Sequence, residues 1–275
     1  MNCTICNKKT KKTIDQLIYF CKECTHYQYF PINISATFNH FEISTSLENL
    51  RRKNAELIYE EFSKILPTQI NFVEVGAGAG YLITKFNENS LKSTAIDMDN
   101  AFEEDLRKKG IDFIHLKDEE IKDLFGYDCF LSSHFIEHIN NPYEFLKMLK
   151  KSEIKYLVIE VPTCEGFIFK ISKFLYILGL KSFWDRMFQK ESNSPHVQYF
   201  SNKSIEKILD ENNYLIKKCM NIPLVDKYPN FKRIAATESF AKSLVVSLVL
   251  PLFEFVNFLT NKSDVVVYFA ELQST

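Results

Sequence analysis

Four cysteines near the N-terminus form two pairs, Cys3 with Cys6 and Cys21 with Cys24, each with two residues between its members. Fourteen residues separate the pairs. This spacing predicts a zinc ion held tetrahedrally by four thiolates, and the alternative is two redox-active or free thiol pairs. Four protein ligands close the site, so the predicted zinc has a structural role. Residues 1–30 offer little core of their own, and metal binding would supply their folding energy.

The residues after the two pairs depart from the usual pattern of such sites. A glycine is usual there, and this chain has Asn7 and Thr25 instead. Asn tolerates the left-handed backbone conformation that the position requires, whereas Thr adopts it less readily. The other cysteines, Cys129, Cys164 and Cys219, lie on or near strand candidates and are predicted to be buried thiols.

A glycine-rich stretch follows the apolar run 71–75 and contains Gly76, Gly78 and Gly80. The chain has only seven glycines in 275 residues, so three within five positions stand out from the rest. Such a turn after a strand lets the backbone approach a nucleotide, because no Cβ intervenes. The dinucleotide fingerprint G-x-G-x-x-G is incomplete, since Tyr81 occupies its last glycine position. A glycine turn in a non-binding α/β domain is the alternative.

Strand and helix candidates alternate along the middle of the chain. Apolar, β-branched runs predict strands at 70–75, 93–97, 111–115, 127–132 and 155–161. Helical spacing of apolar residues predicts helices at 46–66, 79–89, 100–109, 118–124 and 141–151. Further candidates are a helix at 201–213 and strands at 214–220 and 264–270. This alternation predicts an α/β fold with a parallel sheet, whose ligand lies beyond the carboxyl ends of the strands.

The spacing G-x-G-x-G, preceded by Glu74, resembles motif I of the class I S-adenosylmethionine-dependent methyltransferases. Later stretches resemble that family's following motifs in order: AIDMD, HLKDEEI, YDCFLSSHFIEHINNPYEFL and VIEVP. The stretch HVQYFSNKSIEKILDENNY resembles a downstream segment of methyltransferases that act on small molecules and sugars. The resemblance covers about residues 45–220. It implies a Rossmann-like sheet that is mostly parallel with an antiparallel last strand, flanked by helices.

The same resemblance implies S-adenosylmethionine as the cofactor. The implied cofactor-binding residues are Glu74, Gly76, Gly78, Gly80, Asp97, Asp118 and Ser132. Asp97 stands at the end of the second core strand, where it would accept ribose hydroxyls, with Asp99 as the alternative. Asp118 falls where the family places an acid beside the adenine, with Glu119 as the alternative. A solvated carboxylate is the competing interpretation for each of these acids.

Histidines are the candidates for acid–base chemistry. A hydroxyl acceptor benefits from a base whose pKa is near neutral. His196 is predicted to be the base or an acceptor-orienting residue, and His134, after the fourth core strand, is the second catalytic candidate. His138 belongs to the family's E-H pair and is predicted to hold its loop. Glu160 and Tyr199 are further acceptor-side candidates.

The acceptor is predicted to be a small molecule, with a sugar, nucleotide-sugar or glycan hydroxyl favoured. N-terminal zinc knuckles before a methyltransferase core resemble sugar C-methyltransferases and large-subunit rRNA guanine methyltransferases. The net charge of −1 provides no global basic field for nucleic acid. An rRNA or tRNA methyltransferase, a sugar C-methyltransferase and a non-catalytic adaptor are the alternatives.

The apolar segments of the chain indicate where the protein is expected to reside and whether it is expected to contact a membrane. Residues 1–12 contain no apolar signal region, so a cytoplasmic location is expected. Residues 243–259 form the most apolar run, interrupted by Pro251 and Glu254 and shorter than the roughly 20 residues that span a bilayer. A buried or lid helix kinked at Pro251 is expected there. Peripheral membrane contact through this run is the alternative.

These observations divide the chain into five predicted segments. They are a zinc-binding module (1–30), a helical segment (31–66), an S-adenosylmethionine-binding α/β core (67–161), an acceptor-side lid or insertion (162–213), and C-terminal strands and helix that complete the sheet (214–275). The oligomeric state does not follow from the sequence.

Overall fold

The computed structural model describes residues 1–31, 47–190, 192–224 and 262–273. The apolar run 243–259 lies outside the described residues, and so does the membrane contact predicted for it. Within the described ranges, no helix combines the length and the apolar character needed to cross a membrane.

The described strands and helices are as follows, in chain order. The strands are β1 (Lys11–Lys12), β2 (Ile18–Cys21), β3 (His26–Tyr29), β4 (Asn71–Val75), β5 (Lys92–Asp97), β6 (Asp112–His115), β7 (Cys129–Ser133), β8 (Tyr156–Pro162), β9 (Gln198–Tyr199), β10 (Tyr214–Ile222) and β11 (Val265–Leu272). The helices are α1 (Glu48–Ile65), α2 (Tyr81–Asn87), α3 (Glu103–Lys108), α4 (Pro142–Lys151), α5 (Phe167–Ile177), α6 (Lys181–Met187) and α7 (Asn202–Glu211). Short 3₁₀ helices span Asp118–Glu120 and Ile136–His138.

Seven strands form the main sheet, in the order β10-β11-β8-β7-β4-β5-β6. The five strands from β4 to β8 pair in parallel, and β11 runs antiparallel to both β8 and β10. The central strands of the sheet are buried because helices cover its two faces. The predicted fold class, a mostly parallel Rossmann-like sheet with an antiparallel last strand, is confirmed.

Alternate residues of the central strands supply two hydrophobic cores. On β7, Phe130 points to one core while Leu131 points to the other. In the second core Phe62 of α1, Phe72 of β4 and Phe86 of α2 meet edge to face, with ring centroids 5.0–5.7 Å apart. This packing fixes α1 and α2 against β4, and thereby the loop that joins β4 to α2.

The predicted helix at 118–124 is wrong. Only the 3₁₀ turn Asp118–Glu120 forms there. Ile121 and Leu124 are buried, and the Leu124 N–H donates to Ser152 Oγ at 2.9 Å instead of to a carbonyl one turn earlier. A tertiary hydrogen bond therefore replaces the helical one at this position.

The N-terminal residues form a second, four-stranded sheet in the order β1-β2-β3-β9. Its last strand comes from a distant part of the chain, since β9 pairs antiparallel with β3. Apolar and aromatic side chains of this sheet share one core with α5 and α6. Its buried members are Ile18, Tyr27, Tyr29, Phe169, Trp184, Phe188 and Tyr199. The N-terminal segment thus draws on a hydrophobic core that later segments supply.

The three cysteines outside the N-terminal pairs differ in exposure. Cys129 is buried, as predicted, whereas Cys164 is half-buried and Cys219 is exposed. Cys219 lies on β10, the edge strand of the main sheet, where most residues of the strand are at least partly exposed. The prediction of a buried thiol at Cys219 is wrong, because the side chains in the middle of β10 are left largely uncovered.

Candidate active site and cysteine cluster

The glycines after β4 serve two different purposes. All three have positive φ, which L-residues with side chains rarely adopt. A Cβ at Gly76 would lie 2.6 Å from Phe135 Cδ2, and one at Gly80 would lie 2.4 Å from Leu106 Cδ2. A Cβ at Gly78 would meet no atom of the described residues within 4 Å. Gly76 and Gly80 are therefore required by packing, while Gly78 presents bare backbone to open space.

Asp97, at the end of β5, is tied to this loop. Its Oδ2 accepts a hydrogen bond from the Gly78 N–H at 2.7 Å, and its Oδ1 accepts one from the Asp99 N–H at 2.9 Å. Burial raises the pKa of the Asp97 carboxyl despite these donors. The sequence-predicted pair, the glycine loop and the acid after the next strand, is thus brought together.

Glu74 lies within β4 and points into the protein. Its Oε2 accepts from the Ile83 N–H at 2.8 Å and so satisfies a free donor in the first turn of α2. Burial raises the pKa of this carboxyl to about 8. Glu74 therefore fixes the start of α2 relative to the sheet.

Two further predicted cofactor residues lie on neighbouring elements. Ser132, near the end of β7, is fully buried, and its Oγ has no hydrogen-bond partner among the described residues. Asp118 begins the 3₁₀ turn that follows β6. The side chain of Asp118 lies outside what the structure describes.

His134 follows β7 directly and has a φ of +52°, a strained value for a non-glycine residue. Its Nε2 lies 3.1 Å from Glu160 Oε1, and its Nδ1 lies 3.3 Å from Glu137 Oε1. Glu160 also accepts from Ser133 Oγ at 2.6 Å and from Arg51 Nη1 at 2.9 Å. The imidazole of His134 is thus held between two buried carboxylates at the carboxyl edge of the sheet.

Charge neighbours outweigh burial at these groups. Burial alone would raise the pKa of Glu160, but His134 and Arg51 bring it down to about 2. Burial and Arg51 would lower the pKa of His134, yet the adjacent carboxylates raise it above its usual value. Burial likewise opposes ionisation of Glu137, and the surrounding imidazoles lower its pKa.

Glu137, His138 and His196, called here the histidine–glutamate cluster, meet beside His134. Each offers one ligand atom, and these atoms lie within 4.8 Å of one another. The rings of His138 and His196 are 4.9 Å apart, and His196 Nε2 is 3.9 Å from Glu137 Oε1. Burial, with His138 nearby, lowers the pKa of His196 to about 3. The imidazole of His196 is therefore neutral at physiological pH.

His138 ties its turn to the segment before β9. Its Nδ1 lies 2.9 Å from the Pro195 carbonyl oxygen and 3.2 Å from Ser194 Oγ. Through this contact the two histidine-bearing loops are joined.

The cysteine cluster, Cys3, Cys6, Cys21 and Cys24, brings four sulfur atoms together. Sγ–Sγ distances are 3.4 Å for Cys3–Cys24 and 3.5 Å for both Cys6–Cys21 and Cys6–Cys24, and none of the four forms a disulfide. The residues after the two pairs both adopt the left-handed conformation, with φ of 54° at Asn7 and 52° at Thr25.

Hydrogen bonds compensate the strain at Thr25. Its Oγ1 donates to Ser201 Oγ at 2.7 Å, and Ser201 Oγ donates to the Cys24 carbonyl at 2.8 Å. Ser201 is also the N-cap of α7, and its Oγ accepts a hydrogen bond from the Ser204 N–H at 3.1 Å. The second cysteine pair is therefore anchored to the N-terminus of a core helix.

Two residues of these sites were not singled out by sequence reasoning. The helical periodicity of α1 indicates only that Arg51 is polar, yet Arg51 pairs with Glu160, which is far away in sequence. Gln198 Nε2 donates to the carbonyls of Ile139 and Asn140, both at 3.1 Å, while its Oε1 lies 2.7 Å from His26 Nε2. Both residues act through long-range contacts, for which the sequence carries no local signal.

Comparison with known proteins identifies the family. The methyltransferase domain family matches residues 46–217, more than half of the chain. The chain belongs to this family. It is an S-adenosylmethionine-dependent methyltransferase, in agreement with the order of motifs along its sequence.

Solved structures show that the fold of this methyltransferase is shared. It is similar to a SAM-dependent methyltransferase, possible histamine N-methyltransferase, from Thermotoga maritima, with TM-score 0.55, 12% identity, and 85% of this chain and 96% of that chain covered. The YcgJ protein of Bacillus subtilis gives TM-score 0.54, 10% identity, and 80% and 99% coverage. Magnesium protoporphyrin IX methyltransferase of Synechocystis with bound SAH gives TM-score 0.53, 10% identity, and 87% and 90% coverage. The sequence matches none of the curated proteins with which it was compared.

Proposed function

We propose that this methyltransferase acts on a hydroxyl of a small molecule, with a sugar, nucleotide-sugar or glycan as the favoured acceptor. The observation that carries the proposal is the contact of His134 Nε2 with Glu160 Oε1 at 3.1 Å, which leaves Nδ1, in no hydrogen bond with Glu137, as the nitrogen for the acceptor's proton. An imidazole oriented by a carboxylate is suited to take the proton of an attacking hydroxyl. Ser133 Oγ at the same edge gives its proton to Glu160 and keeps lone pairs that can accept from a sugar hydroxyl.

The proposed cofactor contacts are Gly78, Asp97 and Ser132. Gly78 presents backbone to open space, and Asp97 retains free lone pairs beside its two backbone donors. The buried Ser132 hydroxyl lacks a partner within the described ranges. These groups fit a ligand with ribose hydroxyls and a polar amino-acid end. When bound, S-adenosylmethionine supplies the electrophilic methyl group. Asp118 remains the predicted adenine contact.

The catalytic roles assigned to this chain are positioning and proton transfer. Glu160, fixed by Arg51, orients the imidazole of His134 through Nε2, and Nδ1 takes the proton of the acceptor hydroxyl. His196 is kept as an acceptor-orienting residue, since its depressed pKa makes it a weak proton acceptor at neutral pH. The geometry therefore favours His134 over His196 as the base.

The acceptor is tested directly by product mass. Purified protein and S-adenosylmethionine are incubated with a panel of nucleotide-sugars, glycans and structured RNA, and each product is weighed. A mass gain of one methyl on a sugar, placed on oxygen by NMR, is expected. A methyl group on sugar carbon, or on RNA alone, would overturn the proposal.

The role of His134 is tested by His134→Gln, which keeps a polar side chain of similar size. A fall in kcat of about 10²–10⁴-fold is expected, because general-base catalysis contributes about that much. Affinity for S-adenosylmethionine, measured by calorimetry, is expected to stay unchanged. His115→Gln, at the exposed end of β6, is the matched control. A His134→Gln enzyme with wild-type kcat would move the base elsewhere.

The role of Asp97 is tested by Asp97→Ala. Loss of the ribose contact and of the Gly78 tether is expected to weaken S-adenosylmethionine binding about tenfold or more, since a hydrogen bond to a charged group contributes about 1.5–3 kcal/mol. Asp112→Ala, an exposed acid on β6, is the control. Unchanged affinity in Asp97→Ala with an unchanged circular dichroism spectrum would remove Asp97 from the site.

We also propose that the cysteine cluster binds one structural zinc ion. Four free thiols, with Sγ–Sγ distances of 3.4–3.5 Å and two left-handed turns of the same kind, support four-thiolate coordination. Metal analysis of gently purified protein is expected to give one zinc per chain. Zinc-free protein, or a disulfide found by mass spectrometry, would contradict the proposal.

A further inference from the structure

The histidine–glutamate cluster contains a buried carboxylate that has imidazole neighbours but no hydrogen bond among the described residues. Glu137 is fully buried, and neither of its carboxylate oxygens has a hydrogen-bond partner among the described residues. The nearby His134 Nδ1 and His196 Nε2, at 3.3 and 3.9 Å from Oε1, form no hydrogen bond of good geometry with it. A buried carboxylate is costly unless it is both paired and hydrogen-bonded, and Glu137 has a charged neighbour but no hydrogen bond among the described residues.

His196 brings a ring nitrogen, Nε2, to 3.9 Å from Glu137 Oε1. His196 is 8% exposed, and its Nδ1 is buried without a partner among the described residues. Its Nε2 lies 2.8 Å from Gln189 Nε2. Nε2 is therefore the nitrogen that would bind an ion beside Glu137, and its lone pair would pass from the Gln189 amide to that ion.

We propose that Glu137, His138 and His196 bind a divalent first-row transition-metal ion, at a site separate from the cysteine cluster. The three ligand atoms lie within 4.8 Å of one another, whereas adjacent ligands of one ion are roughly 3 Å apart, so the side chains must draw together to bind it. Small rotations of the side chains close the difference. Two imidazoles and one carboxylate suit ions such as Mn²⁺, Fe²⁺, Co²⁺ or Zn²⁺, whereas Mg²⁺ and Ca²⁺ prefer oxygen ligands only.

The surroundings of His138 match those of a metal ligand. A histidine that binds a metal through one ring nitrogen usually donates the other N–H to a carbonyl or carboxylate. His138 Nδ1 lies 2.9 Å from the Pro195 carbonyl oxygen, which leaves Nε2 as the ring nitrogen available to an ion. The same contact holds the segment that carries His196.

Three protein ligands leave open coordination positions. The site adjoins His134, the proposed base, so a bound ion could take an acceptor oxygen as a further ligand. Only this consequence rests on the proposed function. Ion binding is measured without any acceptor. A negative result for the hydroxyl acceptor therefore leaves the metal-site proposal intact, and a negative result for ion binding leaves the proposed methyl transfer to a hydroxyl intact.

The test uses the full chain with its cysteine cluster loaded with zinc. Mn²⁺ is added without acceptor, and free aqueous Mn²⁺ is followed by electron paramagnetic resonance; Mn²⁺ competes poorly for thiolates. One Mn²⁺ bound per chain is expected. Co²⁺ in a parallel titration is expected to show ligand-field bands without thiolate charge-transfer absorption.

Two variants locate the ion. Glu137→Gln and His196→Gln are each expected to weaken Mn²⁺ binding by at least about tenfold, as loss of a supporting or ligating group does. Glu144→Gln on α4 and His115→Gln on β6 are the matched exposed controls and are expected to bind as the wild type does. Circular dichroism and zinc content report folding of each variant.

Wild-type protein that takes up neither Mn²⁺ nor Co²⁺ beyond its zinc overturns the proposal whatever the variants do. The paired charges of His134 and Glu137 would then satisfy the cluster without an ion. Binding that both variants leave unchanged would place the ion elsewhere and overturn it as well.

Discussion

The cysteine cluster and the histidine–glutamate cluster are joined through β9, yet the chain builds them in opposite ways. The four cysteines lie close together in sequence, and two local turns place them. The histidine–glutamate cluster combines a 3₁₀ turn after β7 with a loop before β9, and each depends on the other's packing. The first cluster can form from local geometry and a metal, whereas the second requires the folded sheet.

Gln198 of β9 connects the two regions. On one side its Oε1 lies 2.7 Å from His26 Nε2 and accepts from Thr4 Oγ1 at 3.1 Å, next to the cysteine pairs. On the other side its Nε2 donates to the carbonyls of Ile139 and Asn140, directly after His138. A change at the cysteine cluster should therefore reach the second cluster through β9.

The largest expected effect comes from removing the proposed zinc ion. Cys21→Ser, or a chelator, is expected to unfold residues 1–30, because the binding energy of structural zinc, about 10–16 kcal/mol in small peptides, is folding energy. Since β3 pairs with β9, activity is expected to fall too. Hydrogen exchange and turnover measure both, with the exposed Cys219→Ser as the control. Protection of residues 26–29 that survives chelation would show that the aromatic core, and not the metal, holds this sheet.

A smaller effect is expected from pH at the second region. Glu160 has a folded-state pKa of about 2, below the unfolded value, so its stabilising contribution is present above about pH 4.5 and is lost as pH falls toward 2. The shift corresponds to about 3 kcal/mol at full burial. Glu160→Gln is expected to be less stable at pH 7 and to lose less stability between pH 5 and 2. The free energy of unfolding in urea is measured for the wild type and for Glu160→Gln across this pH range. The same pH dependence in both proteins would contradict the prediction.

Gln198→Ala tests the connection between the regions. Loss of the amide leaves the buried His26 and the Ile139 carbonyl without their partner, at a cost of about 1–3 kcal/mol in the free energy of unfolding. Turnover is expected to fall as well, since the loop that bears His138 loses an anchor. Gln69→Ala, which removes an exposed side chain-to-backbone contact, is the control. Reduced stability with normal turnover would show that the two regions are coupled in stability only.

The smallest effect is expected from Ser201→Ala. Loss of an N-cap costs about 1 kcal/mol, and here the contacts to Thr25 and the Cys24 carbonyl are lost as well. Asn141→Ala removes the N-cap of α4, which makes a single 3.3 Å bond, and is the comparison. Thermal unfolding is expected to rank Ser201→Ala as the more damaging change. Equal effects would mean that the cysteine cluster gains nothing from its contact with α7.

The sequence predicted those features that depend on neighbours along the chain. The spacing of apolar residues and the positions of turn residues predicted the order and type of most core elements. Apolar residues at the period of a helix or a strand lie on one face of that element, which the fold then buries. Cysteine spacing placed four sulfurs together. The glycine loop and Asp97 were predicted as partners, since parallel strands bring the ends of successive strands to one edge.

The tertiary structure alone decided the rest. Three features depend on contacts between residues distant in sequence. Arg51 pairs with Glu160, and Gln198 joins the two regions. The Leu124 N–H bonds to Ser152 Oγ in place of a helical carbonyl. Glu137 and His196 lie on separate segments, and neither has a local signal for the other. Local spacing fixes which groups can meet along one element, whereas long-range packing fixes which groups from different elements do meet.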